Sequence, residues 1–128
     1  VLKTPVTITA NQVLVPVTFE KGSRQVTATL LLDTGASMTT MDQSLARALG
    51  ISGGQESAAI VAGGGIVRTR TVTLDRVRVG PKAALKQPVM ILAETGPKRR
   101  FQGLLGQDFL GRFTYLIDYK NRIIQWAE

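Results

Sequence analysis

Thr27–Thr40 reads TATLLLDTGASMTT, and its interpretation decides the fold. Leu30, Leu31 and Leu32 form an unbroken apolar end to a strand whose first half alternates. Such a pattern describes a strand passing from a half-exposed edge into a core. Asp33, Thr34 and Gly35 then end it, followed by the small residues Ala36 and Ser37. An acid and a glycine at a strand end make an ordinary turn, since Gly supplies backbone angles that other residues avoid. They also suit an acid held in place for chemistry, and the rest of the chain has to decide between the two.

The 128 residues predict one domain, residues 1–128, long enough to bury a sizeable core. Without cysteine there is no disulfide framework and no thiolate metal site. Without histidine there is no Ser–His or Cys–His catalysis and no His-ligated zinc, so acid–base work falls to Asp, Glu, Lys or Tyr. No metal and no cofactor is expected. The net charge of +7 is lopsided: residues 1–65 hold four Lys/Arg and four Asp/Glu, residues 66–128 twelve and five. That surplus raises nucleic acid or an anionic membrane as a partner. Basic residues are not interleaved with aromatics as a stacking platform needs, and the densest cluster, Lys98-Arg99-Arg100, is three long. A basic but ordinary soluble surface is the reading, and no nucleic acid is expected. No apolar run reaches a membrane span. The chain starts at Val1, so it reads as a processed or excised fragment. Compartment stays open, since a chain without disulfides is compatible with cytosol or periplasm, and a signal or membrane anchor would lie in a segment upstream.

Strand signals dominate the pass along the chain. PVTITA and VLVPVTFE pair around Asn11-Gln12, and EKGSRQ turns at Gly22. MDQSLARALG predicts a helix capped by Asp42 and ended by Gly50. SAAIVAGGGIVRTRTVTLDRVRVG predicts a long hairpin with a triple-glycine tip and a returning arm of strict period two. PVMILA reads as a short buried strand. FQGLLGQDFLGRF reads as a short strand that breaks at Gly106 into a helical turn. TYLIDYKNRIIQWAE reads as two strands around Lys120-Asn121. With one short helix and a candidate second, the class is all-β.

LLDTGAS, VAGGGIV and GLLGQDFL, in that order and spanning roughly Val13 to Trp126, resemble the catalytic loop, the flap, and the apolar–Gly element with its helix in the retropepsin-like aspartic proteases. GLLGQDFL is closer to the bacterial members than to the retroviral ones. The resemblance implies a pepsin-like acid-protease fold with one lobe per chain and a flap hairpin. It also implies an aspartic endopeptidase that hydrolyses peptide bonds with water held between two carboxylates. Like charges brought together raise one pKa, so one acid stays protonated while the other takes the proton of water.

One D-T-G per chain supplies only half of that pair. Asp108 reads as an acid at a helix start, where it satisfies free N–H groups. Asp42 is a cap, and Asp75 and Asp118 are solvated. The second acid is therefore expected from Asp33 of another copy in a C2 homodimer. The resemblance assigns Thr34 a hydroxyl bond across the dimer, Gly35 close approach and an N–H to the acid, and Ser37 a bond to its outer oxygen. Ala36 and Leu105 read as packing. Ile60, Val61, Ala62, Gly63, Gly64, Gly65, Ile66 and Val67 form the expected flap over an extended protein or peptide substrate. Two alternatives stand beside the protease: a non-catalytic dimerisation or peptide-binding module of a longer protein, and a basic nucleic-acid-binding domain.

Overall fold

In β3 (Gln12–Lys21) the odd-numbered residues Val13, Val15, Val17 and Phe19 point inward, the last three fully buried. Each contributes about 1.5–3 kcal/mol of burial free energy, and the alternation sets which face of the sheet meets the core. A computed structural model describes residues 2–60, 63–93 and 100–128, with the backbone alone at Ser57, Ala59, Ile60 and Val67. The chain runs β1 (Leu2–Pro5), β2 (Thr7–Thr9), β3, β4 (Arg24–Leu32), β5 (Thr40–Asp42), α1 (Gln43–Ala48), β6 (Gln55–Ile60) and β7 (Ile66–Val79). It continues through β8 (Lys82–Leu92), β9 (Leu104–Leu105), α2 (Gln107–Leu110), β10 (Tyr115–Asp118) and β11 (Ile123–Trp126).

The main sheet has the order β5-β8-β7-β3-β4-β9, with β2 on β3 and β6 on β7. A smaller antiparallel sheet has the order β1-β11-β10. The turns fall where the residue types allow. Asn11 at φ 63° joins β2 to β3, and Gly22 at φ 59° joins β3 to β4. The β4–β9 and β5–β8 contacts are parallel, so two very short strands are held by partners distant in sequence.

Helix α1 is capped at both ends as its sequence predicts. Asp42 accepts the Leu45 N–H at 3.1 Å. At the other end Gly50, at φ 70°, donates to the Arg47 carbonyl and Ile51 to that of Ala46, a Schellman closure.

The β7–β8 hairpin departs from strict period two. Along β8 the buried residues step from Ala84 to Gln87, Val89 and Ile91, and along β7 from Leu74 to Val77 and Val79. Strand β8 changes face at Lys86, in the left-handed region at φ 51°, and β7 at Asp75, the two residues skipped between the Leu74↔Gln87 and Arg76↔Leu85 pairs. The arginines therefore split between two environments. Arg76 forms a bidentate pair with Glu20 at 2.6 and 2.9 Å. Its guanidinium holds the Glu20 carboxyl below the usual range. Arg68 and Arg70 lie beyond the switch. Strand β8 also begins six residues before PVMILA, because the ladder to β7 runs on through Lys82 and because Ala84 and Gln87 in that first half are themselves buried.

Candidate active site

Strand β4 delivers Asp33, and β9 fixes it. The Asp33 N–H donates to the Leu105 carbonyl at 3.0 Å, continuing the Leu31↔Leu104 and Leu32↔Leu105 pairing by one residue. The chain then turns, with the Ala36 N–H donating to the Asp33 carbonyl at 3.2 Å. Inside that turn the Gly35 N–H donates to Asp33 Oδ1 at 2.9 Å. A Cβ on residue 35 would lie 3.3 Å from the same oxygen, so glycine leaves the carboxylate the space it occupies. Leu31 and Leu32 are half-buried and not fully sunk in the core. They line an open depression of about 320 Å³ shared by Gln12, Asp33, Ile117 and Tyr119.

The far side of the loop is pinned to α2. Gln107 donates its N–H to the Ala36 carbonyl at 2.8 Å and its side-chain amide to the Thr34 carbonyl at 3.2 Å. Thr34 and Ser37 are exposed. Within one copy the Ser37 side chain is exposed, beyond the Ala36 anchor, and forms no hydrogen bond to the Asp33 carboxylate.

Thr39 and Gln87 were not singled out in the sequence, and both are fully buried. Asp108 Oδ1 accepts the Thr39 N–H at 2.9 Å and the Thr39 hydroxyl at 2.7 Å, and Oδ2 accepts the Gln87 amide at 2.8 Å. The Thr39 hydroxyl in turn accepts the Gly106 N–H at 3.1 Å. Asp108 does lie in the first turn of α2, but α2 is capped by Gly106 without a side-chain bond. The donors that Asp108 satisfies belong to the loop and to β8. It holds the Asp33 loop from behind and does not face the depression. Asp75 is likewise occupied, by the Gly22 N–H at 2.7 Å, and Asp118 by the backbone and side chain of Asn121. These Asn121 bonds keep the Asp118 carboxyl below the usual range.

Replacing Asp108 with Ala should leave two Thr39 donors and one Gln87 donor buried without an acceptor. The expected loss is about 2–4 kcal/mol, read from the urea midpoint at constant m-value. Asp108→Asn should lose roughly half of that. Its oxygen still serves Thr39, and a flipped Gln87 amide offers it Oε1 in exchange for the Gln87 bond to the Pro88 carbonyl at 3.0 Å. Equal losses for the two variants would count against this account.

In the β6–β7 hairpin, Ile60 pairs with Ile66 as the last rung of the ladder. Gly63 and Gly64 adopt φ of 93° and 85°, and Ile66 is 74% exposed. Val61 and Ala62 lie outside the described residues. Among the described residues the hairpin contributes none of the lining of the Asp33 depression. It borders a separate and larger cavity of about 430 Å³ with Gln43, Glu56, Ala58, Arg68, Arg70 and Ile91 at its walls.

An all-β lobe in which a D-T-G loop is gripped from below by a Gly-Leu-Leu-Gly strand and a short helix is a retropepsin-like lobe. The family model for aspartyl proteases matches residues 15–109, from β3 through α2, and the chain belongs to that family. No curated protein sequence matches it significantly. Among solved structures it is similar to a retropepsin-like aspartic protease from Rickettsia conorii, with a TM-score of 0.66 and 18% identity over 98% of this chain and 93% of that one. It is also similar to the retroviral protease-like domain of Ddi1 from Leishmania major, with a TM-score of 0.59 and 17% identity over 98% and 95%. At these identities the likeness is one of fold.

Proposed function

We propose that this chain is an aspartic endopeptidase in which residues 1–128 act as one domain and two copies form the site. The observation that carries the reading is the Gly35–Asp33 hydrogen bond. It fixes the orientation of a carboxylate that is nevertheless open to solvent at a strand end. Asp42, Asp75, Asp108 and Asp118 are engaged elsewhere, so the second acid is Asp33 of the other copy. The two share one proton. The ionised member takes a proton from the water between them, and the protonated member donates to the peptide carbonyl as the tetrahedral carbon forms. Thr34 and Ser37, exposed at the same loop, are available to a partner. The Ile60–Val67 hairpin serves as the flap over an extended peptide.

The small sheet supports a place for the second copy. Strand β10 is one of its two edges, and Leu116 on that strand and Tyr119 just after it are each 61% exposed. Ile117 and Tyr119 share the depression with Asp33. An unpaired strand edge with exposed apolar side chains beside the acid is suited to pairing with its own copy. Leu116→Glu should therefore raise the dimer dissociation constant by about 10- to 100-fold, equivalent to about 1.4–2.8 kcal/mol. Specific activity should fall on dilution, with the same midpoint in sedimentation, and recover at high protein concentration. Full activity from a monomer at every dilution would sink the two-copy site.

A further inference from the structure

The cavity at the base of the β6–β7 hairpin has an unbalanced charge. Arg68 and Arg70 stand two residues apart on β7 and both line it. Arg70 spends its guanidinium on neutral acceptors, the Gly53 carbonyl at 2.6 Å and Gln43 Oε1 at 2.7 Å. Those bonds fix its position; Glu56 stands opposite it in the ladder, so the two arginines of the cavity face one acid. Arg68 is exposed at the cavity mouth. Glu56, the single acid of the lining, is exposed and forms no ion pair with either arginine. Ile91 and Ala58 supply an apolar wall beside the two cations.

We infer that this cavity is a specificity site that takes a glutamate side chain of the peptide substrate. The inference rests on the proteolytic reading and deepens it. A glutamate places its methylenes against Ile91 and Ala58 and its carboxylate against the free fork of Arg68, a bidentate geometry that an ammonium or an amide cannot match. The prefixed Arg70 adds a second positive charge without a further ordering cost. Ala58 and Arg68 pair two rungs below Ile60 and Ile66. A peptide lying extended along the hairpin therefore presents the glutamate at one register, a few residues from the hairpin end, and at that register alone. The surplus positive charge of residues 66–128 favours the approach of an acidic peptide as well.

The test is a series of fluorogenic peptides in which a single Glu, Gln or Lys is walked one position at a time through a neutral parent. At one register the wild-type chain should prefer Glu over Lys by about tenfold or more in kcat/KM, and the ratio should shrink in 0.5 M salt. In Arg68→Glu the Glu/Lys ratio at that register should invert. Equal rates for Glu, Gln and Lys at every register, or a ratio unmoved by Arg68→Glu, would overturn the assignment. If no peptide is cleaved, the proteolytic reading fails on its own. Fluorescence anisotropy of the same labelled peptides then decides the cavity. Tighter binding of a Glu peptide that reverses in Arg68→Glu supports the site, and charge-blind binding rejects it.

Discussion

Asp33→Asn should abolish peptide cleavage while leaving the fold intact. The substitution changes one oxygen of each acid to an amide and, in a two-copy site, removes both carboxylates at once. Neither an ionised base nor a shared proton then remains, and the expected loss in kcat is at least about 10⁴-fold, the full range of general acid–base assistance. The fold should survive because the structural demand on the side chain is small. Its one hydrogen bond is accepted from the Gly35 N–H, and an Asn oxygen accepts it equally well. The Asp33 backbone is held by Leu105, independently of the side chain. The unfolding midpoint should therefore move by less than about 1 kcal/mol. The wild-type pH profile should be a bell on the acid side of neutrality, with limbs that belong to the pair and not to one residue. Residual cleavage by clean Asp33→Asn protein, or a wild-type rate that climbs steadily into alkaline pH, would remove Asp33 from the centre of the chemistry.

How much of this was legible in the sequence depends on how local each determinant is. The α1 caps, the Gly22 turn and the strand that ends in Asp33 were readable because turn and cap chemistry is fixed by residues within four positions of each other. The role of Asp108 was only half readable. An acid at a helix start looks the same whether it serves its own helix or something else. Here its partners are Thr39, 69 residues earlier, and Gln87, 21 residues earlier. The face switch in β7 and β8 was hidden because it turns on Lys86, a residue type that rarely takes positive φ. Period two was therefore carried straight through Arg68, Arg70, Arg76 and Arg78. The three-residue β5 was absorbed into the helix signal beside it. It exists only by pairing with Met90, Ile91 and Leu92, which no local pattern announces. The Ser37–Asp33 bond was expected by resemblance alone, and within one copy the loop anchored at Ala36 leaves that side chain exposed.

The largest stability effect is expected at Gly106, for a reason that is spatial and not conformational. Its φ of −101° is open to any residue. What excludes a side chain is the loop that carries Asp33. A Cβ at position 106 would lie 2.6 Å from both the carbon and the oxygen of the Met38 carbonyl and 3.0 Å from the Ala36 oxygen. Gly103 is confined in the same way, since a Cβ there would collide with the Thr40 carbonyl. The two glycines of GLLG therefore mark where one backbone crosses another, and the Leu–Leu between them is the strand that pairs with β4. These neighbours are backbone atoms, tied by Gln107 to Ala36, by Met90 to Thr39 and by Leu104 to Thr40 Oγ1. They cannot rotate away as a flexible side chain would. Gly106→Ala should cost on the order of 4–5 kcal/mol, the range in which a domain of this size loses most of its stability. It should also cost activity in whatever fraction remains folded, because relief of the clash displaces the Ala36–Met38 segment three residues from the acid. Gly63→Ala is the matched control: its added Cβ meets nothing within 4 Å, although the position sits at φ 93°. Urea titration of the two variants should separate them by several kcal/mol. A Gly106→Ala protein as stable as Gly63→Ala would mean that the loop is not clamped as described, and that Asp33 is held by β4 and Gly35 alone.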